Sequence, residues 1–298
     1  MKIQPKLIIY TSVDGALYDI QAHSFKAARP ALQAARERGV PIVLCSSRTR
    51  TELEELQRDL GIFDPLIIEN GGAILIPEGY FPLPLKSPEN PDGMLEIELG
   101  ESYERLVRTL HRINHELPFE VRGFSDLSAC ELAEQAGMTL PEARRAKDRE
   151  FDEPFTISSH SPYDLRRLRE KIAEAGLRLT RRGRFYHLHS DAHKGIAVRI
   201  LNALFRHFHH HIQTIGLGYD LNDLPMLSAV DMPIVMRPAL SRLDEAWLHG
   251  IKNLRIAANA GPEGWNHEVL KILTEGTMAR TSIPLANVPR LGTQAAGR

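Results

Sequence analysis

Leu7-Ile8-Ile9-Tyr10-Thr11-Ser12-Val13-Asp14-Gly15 decides the fold, because an apolar run without polar alternation is broken at once by hydroxyls, an acid and a glycine. A short continuous apolar run predicts a strand buried on both faces, and the polar segment behind it predicts a turn at the strand's carboxyl end. Residues 24–38 then carry the spacing of an amphipathic helix closed by Gly39, and 41–45 form a second apolar strand. The pattern repeats with a helix over 50–60 stopped by Gly61 and a strand over 66–68. This alternation predicts an α/β fold with a doubly wound, parallel-sheet, Rossmann-like core. Ligands bind such sheets outside the carboxyl ends of the strands, which points to the loops 11–17, 46–49 and 69–72.

Further along, four prolines in 81–91 interrupt the rhythm, and a lone helix at 103–116 is followed by short scattered segments. Alternation returns with a helix over 194–207, a strand over 213–217, a short helix over 223–229 and a strand over 233–236. The middle of the chain therefore reads as an insertion: 1–81 and 189–280 form the core domain, 82–188 the inserted domain, and 281–298 an aperiodic tail expected to be disordered. The 298 residues suit two domains, and 43% hydrophobic with 25% charged residues describes an ordinary folding chain. With a formal charge of -1 there is no general field for nucleic acid, and no apolar run reaches the length of a membrane span, so neither partner is expected. Cys45 and Cys130 lie far apart in sequence, which predicts a reduced, cytoplasmic protein with both thiols as buried fillers.

Four fragments fall at strand ends or helix starts: Thr11-Ser12-Val13-Asp14-Gly15, Ser46-Ser47-Arg48, Lys194-Gly195 and Gly218-Tyr219-Asp220-Leu221-Asn222-Asp223. Each alone has a plain structural reading: Ser12 and Asp14 cap turns, and Lys194 opens a solvated helix. Together, hydroxyls, an ammonium and the N–H groups of glycine turns converge on a point suited to a tetrahedral anion such as phosphate.

The order and spacing of these fragments resemble the haloacid dehalogenase-like phosphatases, whose motifs are Asp-x-Asp-Gly-Thr, a Ser or Thr, a Lys, and Gly-Asp-x-x-Asn-Asp. Within them, Arg149-Glu150-Phe151-Asp152-Glu153-Pro154-Phe155, Gly183-Arg184-Phe185-Tyr186-His187-Leu188 and Gly261-Pro262-Glu263-Gly264-Trp265-Asn266 resemble the mannosyl-3-phosphoglycerate phosphatase family, and the likeness covers roughly 6–275. The resemblance implies an inserted α+β cap domain that recognises substrate, an aspartyl-phosphate mechanism and an Mg²⁺ cofactor. It places Ser12 at the nucleophile position, with Asp14, Ser46 and Lys194 as the other catalytic positions. It assigns Arg48, Thr49, Arg149, Arg184, His187 and Asn222 to substrate.

Three departures follow from the same comparison of motifs, the first being Ala16 in place of the Thr of the opening motif. Ser12 replaces the attacking carboxylate, and Tyr219 replaces a metal-binding one, so Mg²⁺ would rest weakly on Asp14, Asp220 and Asp223. The expectation is a catalytically impaired or inactive relative that binds a small phosphorylated sugar or glycerate. The alternative is an active Mg²⁺-dependent phosphatase of mannosyl- or glucosyl-3-phosphoglycerate, or another sugar phosphate, with a non-standard site. In the run His207-Phe208-His209-His210-His211, positions 207 and 211 would share a helix face, although a polar helix end is the simpler reading. Trp265 reads as core.

Overall fold

A computed structural model describes residues 5–82, 93–159, 161–237 and 250–275. Its first half runs β1 (Lys6–Thr11), α1 (Arg29–Glu37), β2 (Ile42–Cys45), α2 (Arg50–Leu60), β3 (Leu66–Ile68), β4 (Ala73–Pro77) and β5 (Met94–Glu98). Next come α3 (Tyr103–His115), β6 (Val121–Gly123), α4 (Ala129–Ala136), α5 (Leu140–Ala146), β7 (Glu153–Ile157), α6 (Pro162–Glu174), β8 (Arg178–Arg182) and β9 (Phe185–His189). The chain then continues with α7 (Lys194–His209), β10 (Ile212–Gly218), α8 (Leu224–Leu227), β11 (Met232–Arg237), β12 (Arg255–Ala260) and α9 (Gly261–Glu275).

The large sheet has eight strands in the order β12-β11-β10-β1-β2-β3-β4-β5, parallel from β12 to β3 and antiparallel at β4 and β5. Apolar clusters cover both of its faces: Ile9, Leu44 and Trp265 belong to one, Ile8, Val43 and Phe205 to the other. That two-sided burial is why β1, β2 and β3 are continuous apolar runs. Helix α2 has the predicted limits, opened by a capping box between Thr49 and Glu52 and closed by Gly61 in a left-handed conformation. Helix α1 starts later than the predicted 24, after a 3₁₀ turn at Lys26–Ala28, because Pro30 lacks an N–H and fits only the first turn.

The proline-rich break is followed by one more strand of the large sheet, β5, so the chain leaves that sheet after Glu98. A second, four-stranded antiparallel sheet, β6-β7-β9-β8, packs on α3 and α6 through Leu106, Leu110, Phe155, Leu168 and Leu188. Beside it α4 and α5 enclose a small cluster of Phe124, Leu127, Leu132 and Ala143.

Cys45 is buried as expected, but Cys130 is exposed, because the only buried residue of α4 is Leu132. The histidine run is not one helix face: α7 ends at His209, and His210 turns the chain with φ 55°. Trp265 is fully buried and donates from Nε1 to Thr11 Oγ1 at 2.9 Å. Among the described residues no helix is long and apolar enough to cross a membrane. The predicted tail, 281–298, lies outside the described residues.

Candidate active site

Strand β1 pairs with both β10 and β2, with Thr11 opposite Leu217 and Leu44, so three of the motif turns leave the same edge of the sheet side by side. Ser12 is 4% exposed and its N–H donates to Leu217 O at 2.8 Å, tying the first turn to β10. Ser46 is buried at the end of β2, and its Oγ accepts the Arg48 N–H at 3.2 Å. The fourth fragment enters from the start of α7, where Lys194 reaches Asp223.

That contact is a buried ion pair of 2.7 Å, with Lys194 3% and Asp223 0% exposed. The other Asp223 oxygen accepts N–H groups from Tyr219 at 2.7 Å and Asp220 at 3.1 Å. Burial alone would raise the Asp223 carboxyl and lower the ammonium, yet the Lys194 charge and the two amides hold Asp223 below the usual carboxylate range. Asp223 in turn holds Lys194 above its ordinary value against the same burial. Asp220 accepts the Asn222 N–H at 2.9 Å and caps the short turn that delivers Asp223.

On the other side, Arg48 clasps Asp14, with Nη2 to Oδ1 at 2.6 Å and Nε to Oδ1 and Oδ2 at 3.2 and 3.4 Å. Its guanidinium lies 4.9 Å from the centre of the Tyr18 ring. Burial works against this charge, but Asp14 more than offsets it and keeps the guanidinium above its usual range. Gly15 has φ +78°, and a Cβ there would overlap the Tyr219 ring, which lies against the turn and touches both core clusters.

These groups do not fit Mg²⁺. A hard divalent ion needs several oxygen ligands, preferably carboxylates. Ser12 offers a neutral hydroxyl, and the Tyr219 ring is packed on Gly15 at the position where the resemblance expects a second acid. Asp14 is held by Arg48, and Asp223 by Lys194 and two amides. Among the described residues no group of three His, Cys, Asp or Glu side chains could hold a metal ion.

The inserted segment closes onto these turns through a chain of polar contacts. Arg149, almost fully buried, donates from Nη1 to Ser47 O at 2.9 Å and lies 3.6 Å from Asp152, which is bonded at 2.8 Å to His187 Nδ1. Thr49 and Arg184 also make contacts within the chain. Thr49 is fully buried, caps α2 and donates to Arg145 O at 2.9 Å. Arg184 is exposed, donates to Gln135 O and lies over Phe185, because its hairpin points it along the small sheet.

Two residues absent from the sequence expectation matter here. Glu69 is buried in the turn after β3 with φ 44°, and its oxygens accept the N–H groups of Glu150 at 2.9 Å and Phe151 at 2.8 Å. Burial, opposed by Arg149 and the two amides, pushes its carboxyl up to about 8. Phe151 fills the space left by Gly72 and Gly100, where any Cβ would meet its ring. The loop 69–72 was readable as a ligand-side loop, but its partner, 82 residues on, was not.

Residues 9–81 match the haloacid dehalogenase-like hydrolase family. Over 268 residues the chain is 37% identical to a glucosyl-3-phosphoglycerate/mannosyl-3-phosphoglycerate phosphatase of Methanococcoides burtonii, spanning 90% of this chain and 97% of that one. The chain belongs to this phosphatase family. A second member, from Persephonella marina, is 34% identical over 271 residues, 90% of this chain and 98% of its own. The fold is also that of a Thermoplasma acidophilum protein (TM-score 0.63, 18% identity, 91% of this chain and 99% of that one). It is shared too with the Synechocystis sucrose-phosphatase solved with sucrose and phosphate (TM-score 0.57, 14% identity, 90% and 98%).

Proposed function

We propose that this chain is a member of the glucosyl-3-phosphoglycerate/mannosyl-3-phosphoglycerate phosphatase family that binds a phosphorylated sugar or glycerate without Mg²⁺ and with little or no turnover by the aspartyl-phosphate route. The observation that carries this reading is the Tyr219 ring packed on Gly15, in the turn that follows Ser12. A nucleophilic carboxylate and a metal-binding carboxylate are replaced together, and two of the remaining acids, Asp14 and Asp223, are already in ion pairs.

Charge balance supports it. The two lost carboxylates carry as much negative charge as one divalent cation carries positive charge, so dropping all three leaves the pocket's net charge unchanged. A phosphoryl group would then meet Ser46 and the Ser12 hydroxyl as hydrogen-bond donors and Arg48 as the cation, with the Lys194–Asp223 pair buried behind them. The inserted segment, acting as the recognition cap, would present the buried Arg149–Asp152–His187 group to the sugar or glycerate end, with Asn222 on the core side. Without the carboxylate nucleophile and metal, the loss in rate is on the order of 10⁴ or more. A cytoplasmic setting fits the two unpaired thiols.

The test is phosphate release from mannosyl- and glucosyl-3-phosphoglycerate with Mg²⁺, for the native chain and for Ser12→Asp combined with Tyr219→Asp. The native chain is expected to stay at background while the double variant releases phosphate. Release by the native chain that Asp14→Asn abolishes would overturn the reading in favour of an active phosphatase with a non-standard site.

A further inference from the structure

We propose that Asp14 is a built-in competitor for Arg48, and that this pairing sets which anions the pocket accepts, excluding singly charged carboxylates in favour of doubly charged phosphoryl groups. The inference rests on the anion-binding reading above and assigns Asp14 a role other than acid–base chemistry.

The cations around the motif turns differ in how they are paired. Lys194 is sealed with Asp223 in the interior. Arg149 is buried between Ser47 O and Asp152. Arg50 is tied to Glu150 at 2.9 Å and Glu96 at 2.5 Å. The Arg48–Asp14 pair is partly open, with side chains 24% and 14% exposed. The backbone N–H of Arg48 also donates to Ser46 Oγ, which ties the pair to the turn after β2.

The Asp14 carboxylate fills the Nε–Nη2 edge of the Arg48 guanidinium. An anion that takes this bidentate edge displaces Asp14. A carboxylate exchanges one negative charge for another and gains little, whereas a phosphoryl dianion brings the same bidentate edge with a second charge. The Tyr18 face under the guanidinium and the Tyr219 ring against Gly15 hold both partners in place, so the contest occurs at one point.

The experiment is calorimetric titration, in EDTA, of the native chain, Asp14→Asn, Asp14→Ala, Arg48→Gln and the Asp14→Asn/Arg48→Gln double variant, with inorganic phosphate and with D-glycerate as probes. Removing the competitor should tighten phosphate about tenfold, the scale of one recovered charge-assisted hydrogen bond, and should bring glycerate binding into the measurable range. Both gains should vanish in the double variant. The alanine variant guards against an asparagine that still occupies the fork, and unliganded melting curves establish that each variant folds. If the native chain binds phosphate and neither Asp14 variant binds it more tightly, the competitor role is wrong and the anion-binding reading stands. If no folded variant binds either probe, both are wrong.

Discussion

Lys194→Met removes the ammonium from a buried pair and leaves Asp223 inside the protein with only two amide donors. Breaking a buried pair by deleting one partner costs about 3–5 kcal/mol, because the remaining charge is uncompensated. The Tyr219 and Asp220 amides keep part of that carboxylate satisfied, which places the expected loss near the lower figure. The pH dependence gives a second signature. In the native chain the Asp223 carboxyl is depressed, so its contribution is complete above the unfolded value and is lost as pH falls through the folded one. In the variant, burial acts without the ammonium and raises the carboxyl. Its stability is then greatest below the unfolded value and falls as pH rises. Urea unfolding of both proteins from about pH 4 to pH 8 should show a gap of about 3 kcal/mol near neutrality that narrows in acid. A gap below about 1 kcal/mol, or parallel pH profiles, would refute the account of Lys194 as a charge neutralised inside the fold.

Glu69→Gln probes the turn that holds the inserted segment. A carboxyl raised to about 8 stabilises the fold fully below its unfolded value and less as pH rises toward 8, so native stability should decline over that window and the glutamine variant should show a flatter profile. Thiol labelling of the folded chain should modify Cys130 alone, since Cys45 is buried and its thiol is pushed up to about 12; labelling of both without denaturant would contradict the packing. Phe151→Ala should cost about 3 kcal/mol and raise amide exchange at Glu150 and Phe151, whose N–H groups reach Glu69; unchanged exchange there would mean the ring does not hold the loop.

The parallel half of the core was legible because strands covered on both faces must be apolar throughout, and helices between them carry their own stop signals at Gly39 and Gly61. Strand β5, Met-Leu-Glu-Ile-Glu, was missed: as an edge strand it alternates, and it follows the proline-rich stretch that reads as a boundary. The strands of the second sheet are three to five residues long and take their identity from partners distant in sequence. Ser12, Asp14, Ser46, Lys194 and Asp223 are singled out in the sequence by the order of the fragments and the family resemblance. Their pairing is not, because Arg48 with Asp14 and Lys194 with Asp223 are separated by 34 and 29 residues. Nor does sequence show that Thr49 donates to Arg145 O, 96 residues away, and so docks the inserted segment while it caps α2.

The most direct test of metal-free binding is calorimetric titration of the native chain with mannosyl-3-phosphoglycerate and glucosyl-3-phosphoglycerate, in EDTA and again with Mg²⁺, while free phosphate is monitored. One of these ligands should bind with the same affinity in both buffers and be recovered intact. Binding only in the presence of Mg²⁺, or ligand hydrolysed during the titration, would contradict the account.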